Sequence, residues 1–139
     1  MDTSPIQSQN ILTDKYIKVD IESSIHLLIA RWSKESEFMS EDEFKNVNLL
    51  YVSAFEANAL KYMLINAKFF LFPIYPELQE WVNQEVITKL IGNGLQKVAF
   101  VISEELIPQL SIEQTMENTS FSQYFSTEEA AKKWLSNLA

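Results

Sequence analysis

Alternating apolar and charged residues mark the start of regular structure in this chain. In residues 16–22, three aliphatic side chains alternate with charged ones, which predicts a strand with one face in water. Residues 25–32 are nearly all apolar and predict an interior strand that is covered on both faces. Because only Ser23 and Ser24 separate the two runs, we expect an antiparallel hairpin with a tight turn.

Helical spacing of apolar residues follows two Ser-x-x-Glu pairs, which are the signature of a capping box. Ser40 with Glu43 predicts a helix that extends to about residue 58, and Ser126 with Glu129 predicts a final helix. The apolar face of the first helix is expected to pack against the core, and it consists of Phe44, Val47, Leu50, Tyr51, Ala54 and Phe55. The inward face of the final helix is expected to consist of Ala130, Ala131, Trp134, Leu135 and Leu138.

Two further buried strands are predicted in the middle of the chain, over residues 60–66 and 97–103. An amphipathic helix lies between them. It begins at Pro76, a favoured residue at the first helical position, and ends at the Gly-Asn-Gly of residues 92–94. Past the hairpin, strands and helices therefore alternate, which indicates parallel pairing with right-handed crossovers.

The last third of the chain completes this pattern. Residues 104–118 predict a turn and then a helix capped by Ser111 with Gln114, and residues 121–125 predict a short strand. The predicted fold is α/β: an N-terminal antiparallel hairpin joined to a parallel β-α-β-α-β-α, giving a mixed sheet of about five strands with helices packed on it. Residues 1–13 are predicted to be a flexible polar leader, and residues 14–139 a single domain.

Composition narrows the classes of partner. The formal net charge is −8 and the isoelectric point is near 4.6, with the basic residues scattered. Nucleic acid and anionic membrane surfaces are therefore disfavoured as partners, because both attract basic patches. The chain has no cysteine, no secretory signal at its start and no apolar stretch near the roughly 20 residues of a membrane span. A soluble cytoplasmic protein is expected.

Residues that carry catalytic chemistry are sparse in this chain. The single histidine, His26, is predicted to lie within a strand without partners for a metal site or a relay. Glycine occurs only at Gly92 and Gly94, so neither the usual nucleotide-binding loops nor a G-x-S-x-G elbow can form. Acidic residues at 41–43 and 128–129 fit the first turns of helices, where carboxylates are stabilising. We therefore predict a protein that is not an enzyme and needs no metal or cofactor.

Three stretches of the chain resemble a known family. They are "IHLLIARW", "LINAKFFLFPIYPELQEWV" and "KVAFVISEELIPQLSIEQTMEN" followed by "STEEAAKKWL". Together they resemble STAS-like domains of the SpoIIAA-like group, whose fold is related to CRAL-TRIO lipid-binding domains, over roughly residues 15–138. The resemblance implies a non-enzymatic switch or ligand binder that engages partners near the loop after the third strand.

Regulatory members of that group carry a phosphorylatable serine or threonine at the start of the helix after this strand, and a kinase is their partner. The corresponding residues 66–77 of this chain contain neither serine nor threonine. The resemblance therefore implies a regulatory or scaffolding interaction module without the usual phosphorylation switch. The alternative that it implies is a binder or carrier of a small lipophilic ligand, in an apolar pocket near residues 67–81.

The apolar connection between the strand at 60–66 and the helix at Pro76 is the candidate binding segment. It should lie at the carboxyl end of parallel strands, where ligands bind in open α/β sheets. Three interpretations are open: ordinary core packing, a surface for another protein or a second copy of the chain, and the wall of a pocket. The pocket would be lined by Met63, Phe69, Phe70, Phe72 and Trp81. The predicted ligand- or partner-binding residues are Phe69, Phe70, Phe72, Ile74, Tyr75 and Trp81, and the interface is ranked above the pocket.

Overall fold

A computed structural model of the chain describes residues 8–106 and 121–136. Within these ranges, six strands form one mixed sheet in which the spatial order follows the chain order. The strands are β1 (Ser8–Thr13), β2 (Ile17–Glu22), β3 (Leu27–Trp32), β4 (Tyr62–Asn66), β5 (Lys97–Val101) and β6 (Ser122–Phe125). The pairs from β1 to β3 are antiparallel and those from β3 to β6 are parallel. The predicted α/β class and layout are confirmed, with six strands in place of about five.

The prediction of a flexible leader over residues 1–13 is wrong for residues 8–13, because these residues form strand β1. The side chain of Asn10 donates a 3.0 Å hydrogen bond to Asp20 Oδ1 on β2, and Ile11 and Leu12 pack against the core. The pairing register shifts between Asn10 and Leu12. This irregularity breaks the two-residue period by which strands are recognised in a sequence. The first seven residues of the predicted leader lie outside the described residues.

Helices cover both faces of the sheet. Among the described residues, the helices are α1 (Glu41–Ala57), α2 (Pro76–Val82), α3 (Thr88–Gly92) and α4 (Glu128–Ser136), with a π-helical turn (Asn83–Ile87) that joins α2 to α3. Helices α1, α2 and α3 pack on the face that carries Leu28, Met63 and Val98, which we call the first face. Helix α4 packs on the second face, which carries Ile29 and Leu64. The sheet therefore forms the middle layer of the domain.

The Ser40 capping box of α1 is confirmed. Glu43 N donates to Ser40 Oγ at 3.1 Å, and Ser40 N donates to Glu43 Oε1 at 2.8 Å. The hydrogen bond from the Ser40 backbone is the main reason that the pKa of Glu43 is lowered. One inward position was predicted wrongly: Leu50 is exposed, and Asn48 is buried on the inner side of α1.

Helix α4 is capped by Thr127 and not by the predicted pair of Ser126 and Glu129. The Thr127 hydroxyl accepts a 3.1 Å hydrogen bond from the backbone N–H of Ala130. Ala131 is buried, as is Leu135, whereas Ala130 is exposed, so the predicted inward face is corrected at that position. The predicted inward residue Leu138 and the helix predicted after Ser111 lie outside the described residues.

The hairpin between β2 and β3 places His26 differently from the prediction. A short 3₁₀ turn (Ser23–Ile25) joins the strands, and His26 follows it in the left-handed region with φ of 56°. Because β3 begins only at Leu27, the predicted position of His26 within a strand is wrong, and its side chain is exposed. The predicted antiparallel hairpin is confirmed, but its connection spans residues 23–26 and not Ser23 and Ser24 alone.

An ionic network attaches α4 to the second face. The Arg31 guanidinium on β3 lies 2.8 Å from Asp20 Oδ2 and donates two hydrogen bonds, of 2.8 and 3.0 Å, to the carboxylate of Glu128. Asn66 Nδ2 donates to the same carboxylate at 2.8 Å. Burial raises the pKa of Glu128, but the hydrogen bonds from Arg31 and Asn66 outweigh burial, so its pKa lies below the ordinary value.

Candidate functional site

An apolar cavity lies between the first face of the sheet and the helices α1 to α3. Its volume is about 430 Å³, which is within the range of sites that hold small molecules. Strands β3 to β6 form its floor, helix α1 and the helical segment from α2 to α3 form its walls, and the loop before Pro76 closes one end. It is lined by Trp32, Phe44, Asn48, Tyr51, Met63, Ile65, Ala67, Phe70, Ile74, Gln79, Val82, Asn83, Val86, Ile87, Leu90, Leu95, Val98, Phe100 and Tyr124.

The floor of the cavity follows from the alternation of side chains along strands. Met63 and Ile65 of β4, with Ala67 directly after it, all point to the first face and all line the cavity. Parallel pairing sets Ile65 beside Phe100 of β5, and Phe100 beside Tyr124 of β6. The small side chain of Ala67 leaves space at the carboxyl end of β4, so the cavity extends towards the loop.

The π-helical turn shapes one wall. In this turn the Thr88 backbone N–H bonds to the carbonyl oxygen of Asn83 five residues earlier, and the Thr88 hydroxyl donates to the same oxygen at 2.8 Å. The wider turn lets Val86 and Ile87, which are consecutive residues, both line the cavity. Such π-helical turns are rare in proteins, and those that occur are often found at functional sites. Nothing in the amino-acid pattern signals this turn, and the sequence prediction missed it.

Two buried polar side chains on α1 stand in the otherwise apolar wall. Asn48 and Tyr51 are 3% and 4% exposed. The Tyr51 hydroxyl donates a 2.5 Å hydrogen bond to Asn48 Oδ1, and Asn48 Nδ2 donates a 2.8 Å bond to the carbonyl of Phe44. Burial raises the pKa of Tyr51, so its hydroxyl remains neutral. An asparagine one turn before an inward tyrosine was the available sequence signal for this pair.

Two amides and one isoleucine are the exposed residues among the described residues that line the cavity. Gln79 and Asn83 both line the cavity and are exposed, and Gln79 Nε2 donates a 3.1 Å hydrogen bond to Asn83 Oδ1. Ile74, from the loop, also lines the cavity and is exposed. A ligand can thus enter past two uncharged amides and reach an apolar interior.

The candidate binding residues take three different positions. Phe70 and Ile74 line the cavity, as does Met63 of the predicted pocket. Phe72 is buried in the core and does not belong to the lining, and its ring stacks on Phe44 at a centroid distance of 4.9 Å. Trp81 is half-buried against the core, outside the lining, with the Lys45 ammonium 5.3 Å from its ring centroid.

An aromatic cluster explains why the loop is so apolar. Phe70 packs edge-on against Trp32 at 4.9 Å between ring centroids, and Phe44 lies 6.0 Å from Trp32. Together with Phe72, these rings close the core at the carboxyl end of β3 and β4. Each buried ring contributes about 1.5–3 kcal/mol to stability, so part of the loop is ordinary core.

Phe69 and Tyr75, the remaining candidate residues, belong to an exposed apolar surface, which we call the loop surface. Leu71 N donates to Ser36 Oγ at 2.9 Å, so the loop adjoins the 3₁₀ turn (Lys34–Phe38). The Tyr75 hydroxyl donates to the carboxylate of Glu41. The exposed large apolar residues of these two segments are Phe38, Phe69, Leu71, Ile74 and Tyr75.

Across residues 8–106 and 121–136, no three histidine or acidic side chains converge as ligands for a metal ion. No helix in that part of the chain has both the length and the apolar composition needed to cross a membrane.

Comparison of the chain with family profiles, with curated proteins and with solved structures finds no match. The resemblance to STAS-like domains therefore stays a prediction from the sequence.

Proposed function

We propose that this chain is a non-catalytic binding protein that holds a small apolar molecule in the cavity on the first face. The observation that supports this proposal is the cavity itself: about 430 Å³, lined mainly by apolar side chains, with one buried polar pair on α1 and two exposed amides. Binding sites for small molecules combine these features. As part of the same proposal we place the protein in the cytoplasm, because the sequence contains no cysteine.

The cavity is large enough for a useful affinity. At a liquid-like volume of about 30 Å³ per heavy atom, it has room for about 14 heavy atoms. Burying ten carbon atoms contributes about 8 kcal/mol, at about 0.8 kcal/mol for each carbon. Association costs at least about 4 kcal/mol. With the association cost at this lower limit, a ligand of ten carbons should bind with a dissociation constant of about 1 mM.

Naphthalene, a rigid apolar molecule of ten carbons, is a suitable probe for the proposal. Isothermal titration calorimetry, with concentrated protein added to dissolved naphthalene, should show heat that fits binding of one naphthalene per chain. Native mass spectrometry of freshly purified protein should show an additional organic-extractable mass if a natural ligand is retained. Absence of binding heat when millimolar protein is titrated into dissolved naphthalene, with only the bare chain mass, would contradict the proposal.

A second candidate function is the interaction module predicted from the sequence. The loop surface favours it, because exposed aromatic and aliphatic side chains on two adjoining segments suit the core of an interface. The partner that we propose for the loop surface is a second copy of the chain, since twofold-symmetric homodimers are the commonest oligomers of soluble proteins.

Sedimentation equilibrium tests the second candidate. The mass should rise above the 16.1 kDa of the single chain with increasing concentration. Leu71→Glu on the loop surface should abolish that rise. Leu49→Glu introduces the same charge at an exposed leucine of α1 and should leave the rise intact. A wild-type mass of one chain at millimolar concentration would contradict this candidate and leave the ligand proposal unaffected.

A further inference from the structure

We infer that the cavity selects uncharged ligands that carry one hydrogen-bonding group, such as a hydroxyl, carbonyl or carboxamide, and that it excludes carboxylates. This inference rests on the proposed function and specifies the chemical class of the ligand. It is carried by two features of the lining: the absence of charged side chains among its described residues, and the buried pair of Asn48 and Tyr51.

The first feature concerns charge. None of the described residues that line the cavity is a lysine, arginine, histidine, aspartate or glutamate. A carboxylate that entered the interior would lose its hydration without gaining a counterion, and such a transfer costs far more than the transfer of a neutral polar group. The net charge of −8 on the chain adds to this cost for any anion. Fatty acids and other carboxylates are therefore poor ligands for the cavity interior.

The second feature is hydrogen-bonding capacity that the protein leaves available. A primary amide has two N–H donors and a phenol has both a donor and acceptor capacity. Asn48 uses one N–H on the carbonyl of Phe44, and Tyr51 uses its proton on Asn48 Oδ1. The second N–H of Asn48 can donate to a ligand carbonyl, and the hydroxyl oxygen of Tyr51 can accept from a ligand hydroxyl or amide.

The position of this pair sets the orientation of the ligand. Asn48 and Tyr51 are buried on α1, whereas the exposed amides of Gln79 and Asn83 stand at the opening. A neutral polar head therefore reaches the buried pair, and the apolar body lies along Ile65 and the other floor residues. In the reverse orientation, a charged head would stay hydrated at the opening, and a carboxylate would bind as tightly as a carboxamide.

Four naphthalene compounds that share one ring system test the inference by calorimetry at pH 7. They are naphthalene, naphthol, naphthalene carboxamide and naphthalene carboxylate, with the substituents at the same ring position. The carboxamide and the carboxylate have nearly the same shape and differ in charge. We expect the carboxamide to bind at least about tenfold more tightly than the carboxylate, and naphthol to bind more tightly than naphthalene.

The outcomes separate the inference from the proposed function. If the carboxylate binds as tightly as the carboxamide, ligands place a charged head at the opening and the inference is wrong, while the proposed function stands. If none of the four compounds binds, both are wrong. Weak binding of the carboxylate with strong binding of the carboxamide supports both.

Tyr51→Phe examines the role of the buried pair, because it removes the hydroxyl and keeps the ring. It should lower the ratio of carboxamide affinity to naphthalene affinity by about fivefold, the loss expected for one hydrogen bond. Comparing two ligands on one variant cancels any general loosening of the fold. Tyr62→Phe, on the second face, is the matched control and should leave the ratio unchanged. An unchanged ratio in Tyr51→Phe would overturn the assignment of the polar head to this pair.

Discussion

Replacing Ala67 with leucine tests whether the space at the carboxyl end of β4 is a true cavity. Ala67 lines the cavity, and its side chain points to the first face. Leucine adds three carbons, and their burial contributes about 2.4 kcal/mol at about 0.8 kcal/mol each. Fixing the leucine side chain costs about 0.5–1 kcal/mol of rotamer entropy. Ala67→Leu should therefore stabilise the protein by about 1.5 kcal/mol.

The same substitution should weaken ligand binding. If the new side chain prevents two carbons of naphthalene from being buried, about 1.6 kcal/mol of binding free energy is lost. That loss corresponds to a dissociation constant that rises by about fifteenfold. A variant that is more stable and binds less is a combination that simple damage to the fold does not produce.

Ala130→Leu is the matched control, because it adds the same atoms to an exposed position on α4. Its free energy of unfolding should stay within about 0.5 kcal/mol of the wild type, and its affinity for naphthalene should not change. Urea denaturation followed by circular dichroism and calorimetric titration with naphthalene measure the two quantities. The reasoning is refuted if Ala67→Leu loses more than about 1 kcal/mol of stability while naphthalene binds as to the wild type.

Three further predictions concern stability. Because the hydrogen bonds of Arg31 hold the pKa of Glu128 below its ordinary value of 4.5, Glu128 stabilises the fold above pH 4.5 and loses this contribution as pH falls through its lowered pKa. The fall in melting temperature in that acidic range should be shallower in Glu128→Gln, and an identical pH profile would contradict this. Ser40→Ala should cost about 1 kcal/mol by removing the cap of α1, measured by urea denaturation, and an unchanged midpoint would count against the cap. Gly94 has φ of 101° and no close neighbour for an added Cβ, so Gly94→Ala should cost about 1 kcal/mol of stability through backbone strain alone. Gly92→Ala is the control and should not have this cost. Equal urea midpoints for the two variants would show that backbone strain is not the cause.

The regular elements of the sheet were predictable because their hydrophobic patterns are simple. The alternation in β2 and the continuous apolar runs of β3, β4 and β5 predicted the strands, and the order of elements predicted parallel pairing. Strand β1 was missed because the residues before Ile11 are polar and the pairing register shifts nearby. The face of α1 was misjudged at Leu50 because apolar spacing alone does not reveal that Asn48 is the buried residue.

The candidate site was predictable only at its edge. An apolar connection before Pro76 pointed to the carboxyl end of β4, and Phe70 and Ile74 of that connection line the cavity. The floor could not be predicted, because Ile65 and Tyr124 share it only through the pairing of both strands with β5. The π-helical turn depends on backbone geometry that these residue types do not specify.

The most direct test of the account is a crystal structure of the protein soaked with naphthalene carboxamide. We expect the ring between Met63 and Val86 on the lining, with the carboxamide within hydrogen-bonding distance of Asn48 and Tyr51. The account is contradicted if the compound binds elsewhere, or if neighbouring side chains close the space and leave no room for a ligand.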